Sequence, residues 1–303
     1  MALSALLFSS LLRAQVAAQL PTPQSPSPMF DATRTHLRLA QAALAGTIRT
    51  FNGPTNKPVD VFVPNQFRDK PRDGAFDVVV HFHGAAWLAE QAVNARNNRE
   101  VAAVLNLGVG SGVYDRSFSE PSAFDSLLVA IAREVSAVTA KPAHVNRITL
   151  VGYSAGHGAV RAILRDAQHF KDVYAVMLLD GMHTSYMPEG VPIANGGTLD
   201  TTNLVALTNF AFAAMRGAKR FLVSHSEIFP GTYASTTETA DWMLRSLGLR
   251  RTPVLRWGPR GMQQLSEAQA GHFKLLGFAG TTAPDHVDQF HAMPELLRQL
   301  SKR

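Results

Sequence analysis

The segment Gly152-Tyr153-Ser154-Ala155-Gly156 is where this sequence most directly offers chemistry. The apolar run Ile148 to Val151 leads into it, and a helix-like stretch comes directly after it. A serine there sits on a sharp strand-to-helix turn, so its hydroxyl projects from the end of a sheet. The helix N-terminus aims backbone N–H groups at the same point. Glycines at 152 and 156 leave room for the adjacent strand and helix. A serine hydroxyl is a poor nucleophile until a base takes its proton, and the chain has 11 histidines. The base in turn needs a carboxylate to orient it. Asp180 directly ends the apolar run Val173 to Leu179 and precedes Gly181, while Glu227 lies past Phe221 to Ser224 in the longer loop SHSEIFPG. An acid at a buried strand end is costly unless hydrogen-bonded, and a histidine meets that need. Asp180 has the cleaner context of the two.

The pair His81 and His83 invites a metal reading, since residues at i and i+2 share one face of a strand. A metallo-hydrolase pattern wants Asp-His two residues further on, and Ala86 and Trp87 stand there instead. No metal is therefore assigned, and His83 reads as a hydrogen-bonded structural histidine.

These residues need a scaffold, and the 303-residue chain has the material for one. Hydrophobic residues make up 46%, which excludes disorder as the main state. Charged residues are only 17%, against about 25% in typical domains. The absence of cysteine excludes disulfide frameworks, zinc ribbons and cysteine nucleophiles. A net charge of +6 comes from scattered arginines with no interleaved aromatic platform, so a solvated face is read and no nucleic-acid partner.

Ala2 to Leu12 is apolar but too short to span a bilayer, so no stable membrane insertion is expected. With the small-residue pattern Val16-Ala17-Ala18 it reads as a signal peptide over 1–18, although no Lys or Arg precedes the apolar run. A Pro/Ser-rich linker over 19–30 follows, then one domain over 31–303. Export to the periplasm or medium is the resulting expectation.

Within that domain, strand-like and helix-like segments alternate. Strands are expected at Gly46 to Phe51, Val59 to Val63, Phe76 to Phe82, Val101 to Leu107, Ile148 to Val151, Val173 to Leu179, Phe221 to Ser224 and Phe273 to Phe278. Helices are expected at Trp87 to Asn97, Ala123 to Val138, Ala155 to Ala167, Thr201 to Arg216, Ser235 to Leu247 and Pro294 to Leu300, with a loop over Gly108 to Ser122. FDVVVHF at 76–82 is apolar almost throughout, as in a strand buried on both faces. The alternation predicts an α/β fold with a mostly parallel central sheet and helices on both faces. Functional residues then sit past the carboxyl ends of strands. Residues 181–200, with two prolines, form a small lid in this reading. Trp87 and Tyr114 are weak candidates for lining a pocket or for packing. His157 either faces the site or lies on the helix surface.

With GYSAG in place between strand and helix, residues 46–303 resemble the α/β-hydrolase superfamily in their order of elements. The resemblance implies a three-layer sandwich and a serine hydrolase with chain order Ser, acid, His. It implies that His83-Gly84-Ala85 opens the loop supplying one oxyanion N–H, from Ala85, with Gly84 allowing close backbone approach and Ala155 as second donor. One glycine follows His83, not the HGGG run of many esterases. The base is expected after the last strand, which favours His286 over His291 and sets aside His272 ahead of that strand. The acid follows either of two strands in the superfamily, so Asp180 is favoured and Glu227 stays open. Asp285 is read as a turn residue. A small-molecule ester or acyl substrate is implied, with no cofactor required. A peptidase or acyltransferase would use the same machinery, and a non-catalytic binding module is the reading from another class. Neither acyl preference nor oligomeric state is legible.

Overall fold

The structure, a computed structural model, describes residues 34–67, 73–96 and 100–301. The expected signal peptide and linker lie outside the described residues. The chain enters the sheet with an antiparallel pair, β1 (Gly46–Asn52) and β2 (Pro58–Pro64). Next come β3 (Ala75–Phe82), α1 (Ala86–Asn94), β4 (Glu100–Leu105), α2 (Ser111–Ser117), α3 (Pro121–Thr139) and β5 (His144–Tyr153). A 3₁₀ turn at Ser154–Gly156 leads into α4 (His157–Arg165), followed by α5 (Ala167–Asp172) and β6 (Val173–Leu179). A two-stranded ribbon of β7 (Tyr186–Met187) and β8 (Thr198–Leu199) precedes α6 (Val205–Met215), β9 (Arg220–His225) and α7 (Thr236–Ser246). The hairpin β10 (Thr252–Trp257) and β11 (Gln263–Ala270), β12 (Phe273–Phe278), α8 (Ala283–His291) and α9 (Met293–Ser301) end the described chain.

The sheet runs β1-β2-β4-β3-β5-β6-β9-β12-β11-β10. The six central strands from β4 to β12 are parallel, and both edges are antiparallel. The apolar run on β3 is buried on both sides. Phe76, Val78, Val80 and Phe82 join the core under α3, α4 and α6, while Val79 joins the core under α1, α8 and α9. This is the expected three-layer sandwich, a mostly parallel central sheet with helices on both faces.

Three local expectations are corrected. The loop at 108–122 contains α2, which packs closely enough on α4 that a Cβ on Gly158 would lie 2.1 Å from the Ser111 carbonyl oxygen. The hairpin β10–β11 is an addition to the expected strands, because β10 is solvent-exposed along nearly its whole length and lacks an apolar face. The expected final helix is α9, but the loop expected before it is a further helix, α8, beginning at Ala283, so His286 is helical. Thr282 and Asp285 form a capping box at its start, with Pro284 in the first turn.

An extended segment at 34–39 lies along α8 and holds it. Asp288 is fully buried and accepts from Arg34 Nη2 (2.5 Å), His36 Nδ1 (2.5 Å) and Arg38 Nε (3.2 Å). Arg34 also donates to Asp285 (3.0 Å), and the Leu39 N–H donates to His291 Nδ1 (3.0 Å). His36, Asp285 and Asp288 lie close enough to hold a cation, but the two guanidinium groups already neutralise these carboxylates. Asp288→Asn removes the negative charge, and one of the two acceptor oxygens, shared by two buried or half-buried cations. It is expected to cost about 3 kcal/mol, about 6–10 °C in Tm, read by thermal unfolding.

Candidate active site

Strand β5 ends at Tyr153, and Ser154 takes φ of +47° before the 3₁₀ turn begins. A non-glycine residue in this left-handed region costs of order 1–3 kcal/mol and persists only where its surroundings enforce it. The flanking glycines show what does so. A Cβ on Gly156 would lie 2.0 Å from the Phe82 carbonyl oxygen, and one on Gly152 would lie 2.9 Å from the His157 amide nitrogen. The turn is thus wedged backbone against backbone between β3 and α4.

Past the end of β6, Asp180 is also left-handed, with φ of +42°, and Gly181 packs so tightly that a Cβ there would sit 2.5 Å from the Ser154 carbonyl oxygen. The Asp180 carboxylate is buried. Oδ2 accepts from His286 Nδ1 (2.7 Å) and Ser226 Oγ (2.6 Å), and Oδ1 accepts from the Ser226 N–H (2.9 Å) and Thr236 Oγ1 (2.9 Å). Burial alone would raise its pKa. The hydrogen bonds and charge supplied by His286, with those from Ser226, outweigh burial and hold the carboxyl well below the usual carboxylate range. The His286 ring stacks on Tyr153, the residue before Ser154, at 4.8 Å between centroids. Asp180 and His286 are therefore joined beside Tyr153, the residue before Ser154, although His286 arrives on a helix.

The alternative residues lie elsewhere. Glu227 makes no bond to His286. Its carboxylate is half-buried with Oε2 unpartnered, burial raises its pKa, and it lines a separate cleft with His225 and Arg251. His291 is held by Leu39 and packs edge-on against Trp87 at 5.8 Å. His272 precedes β12 and is tied by its backbone to Ala214 and Phe221. Asp285 caps α8.

On the facing side, β3 ends in two left-handed residues, His83 (φ +74°) and Gly84 (φ +105°). The twist at His83 breaks the alternation along the strand, so His81 and His83 do not make a metal pair. His81 stacks on Phe290 at 5.1 Å, with burial pushing its pKa down to about 3. His83 Nδ1 meets the hydroxyl of buried Tyr114 (2.9 Å), which in turn accepts the Leu107 N–H (3.1 Å). Gly84 is clasped by Asn106, whose Oδ1 accepts the Gly84 N–H (2.8 Å) and whose Nδ2 donates to the Gly84 carbonyl (2.6 Å). Nothing in the sequence singles Asn106 out. Ala85 is the N-cap of α1, and Ala155 lies in the turn after Ser154. Both occupy helix starts, where backbone N–H groups lack intrahelical partners.

A cavity of about 510 Å³ opens beside Ser154 and Ala155. His83, His157, His183 and Arg161 share its wall with hydroxyl and amide side chains. Trp87 and Tyr114 do not line it: one packs against His291 and the other is fully buried. His157 is buried inside α4, with Nδ1 on the Ser154 carbonyl (2.8 Å) and Nε2 on the His183 carbonyl (3.0 Å). Burial pushes its pKa to about 3, so the neutral ring donates to only one of the two.

No protein-family model matches the chain, and no curated protein matches it in sequence. Solved structures of similar shape include an S-formylglutathione hydrolase from Staphylococcus aureus, with 10% identity over 88% of this chain and 99% of that one, TM-score 0.47. A fluorophosphonate-binding serine hydrolase F of the same organism is 12% identical over 85% and 99% of the two chains, TM-score 0.47. A thermostable esterase is 14% identical over 84% and 60%, TM-score 0.44.

Proposed function

We propose that this chain is a serine hydrolase that cleaves carboxylic esters through an acyl-enzyme, with Ser154 as nucleophile, His286 as base and Asp180 as orienting acid. The observation that carries the reading is the buried Asp180–His286 hydrogen bond at 2.7 Å beside a left-handed Ser154. With the proton on Nδ1 committed to Asp180, the Nε2 lone pair of His286 is the one left to accept the serine proton. The alkoxide character this gives Oγ drives attack on the ester carbonyl. The N–H groups of Ala155 and Ala85 receive the developing oxyanion, each worth about 3 kcal/mol in such sites. His286 returns its proton to the leaving alcohol, and water then repeats the cycle on the acyl-enzyme. The residues named for these steps need no cofactor.

A fluorophosphonate probe tests the reading directly. It should modify the protein at one site, mapped by mass spectrometry to the peptide carrying Ser154. An unlabelled protein that is otherwise folded would favour a non-catalytic binding module instead.

A further inference from the structure

The wall of the cavity carries one feature that ester cleavage does not require. Arg161 belongs to α4, four residues after its first residue His157, and the Ser154 turn directly precedes that helix. Helical side chains lean toward the helix N-terminus, here the end at which the Ser154 turn lies. Arg161 is 8% exposed and lines the cavity. Its Nε donates to Asp115 Oδ2 (2.5 Å), and among the described residues its two terminal nitrogens bond to no protein group. Asp115 also takes Arg165 through Oδ1 (2.9 Å), so two cations share one carboxylate and the group carries a surplus positive charge. Among the described residues no aspartate or glutamate lines the cavity. Its three histidines are neutral at pH 7, each with its pKa lowered by burial.

We infer that the cavity takes an ester that also bears a carboxylate, held by the free fork of Arg161. The inference rests on the serine hydrolase reading and adds the substrate class. The two terminal nitrogens face the open cavity, a bound ester displaces the water there at a cost, and a carboxylate satisfies both donors at once through a bidentate contact. A neutral acyl chain would leave that cost standing.

Two ester pairs test it, one for each side of the scissile bond. The para-nitrophenyl half-ester of glutaric acid is compared with para-nitrophenyl pentanoate, and para-acetoxybenzoate with phenyl acetate. In at least one pair the charged ester should have the higher kcat/KM, and added KCl should shrink the ratio. Arg161→Gln should lower that ratio by about ten- to a hundredfold, the scale of hydrogen bonds to a charged group. Asp115→Asn, which keeps Arg161 and removes its counter-charge, should raise the ratio and decides the matter if the first variant does not fold. An active enzyme with no charge preference in either pair, or a ratio that neither substitution moves, overturns the inference. Hydrolysis that survives Ser154→Ala instead overturns the reading beneath it.

Discussion

Ser154→Ala is expected to reduce kcat for activated esters by about a millionfold, the scale found when the nucleophile of a serine triad is removed. Fold and stability should hardly suffer. The residue is in a left-handed conformation that alanine tolerates about as poorly as serine, so the strain is the same before and after. Gly152 and Gly156, which set the turn, are untouched. Far-ultraviolet circular dichroism and Tm should therefore match the parent while product release falls to background. Retained turnover would remove Ser154 from the mechanism and, with it, the roles given to His286 and Asp180.

Asp180→Asn is expected to lower kcat by about 10⁴-fold. The carboxamide oxygen can replace Oδ1 and keep the bonds from the Ser226 N–H and Thr236 Oγ1. The amide nitrogen then faces His286, where Oδ2 had accepted from Nδ1. Two donors cannot share that contact, so the imidazole shifts its proton to Nε2 and loses the lone pair that accepts the serine proton. Glu227→Gln, assayed beside it, should retain most activity, and the reverse outcome would exchange the two acids. The pH dependence has a definite sign. Because the folded pKa of Asp180 is depressed, its contribution to stability is fully present above the unfolded carboxylate pKa of about 3.9. It is lost only as pH falls below that value toward the lower folded pKa. Asp180 thus stays ionised across the range in which an ordinary histidine titrates near 6.5.

The parts of the site that are legible in sequence are those with strong local signals. The apolar runs ending at Phe82, Tyr153 and Leu179 announce buried parallel strands, so the residues just past all three must lie at one end of the sheet. GYSAG and LLDG can therefore be placed together without coordinates. Elements held by weak or long-range forces are not legible. The hairpin β10–β11 has an exposed edge strand, so nothing in its pattern marks burial. Helix α2 has no side-chain cap and buries a single side chain, Tyr114. The start of α8 has a readable signal in Thr282, Pro284 and Asp285, which outweighs the loop assignment of His286. Arg34, His36 and Arg38 alternate as an extended segment requires to present one basic face, but their acidic partner lies about 250 positions away in the chain.

The contact between Gly156 and the end of β3 sets a boundary on how the Ser154 turn can vary. Main chain touches main chain there, with no side chain between that a substitution could trim or enlarge. The placement of the Ser154 turn against the end of β3 is consequently tied to the pairing of β3 with β5. The cavity lining at 183–185, Arg161 and Asn203 is where substitutions can change the space beside Ser154.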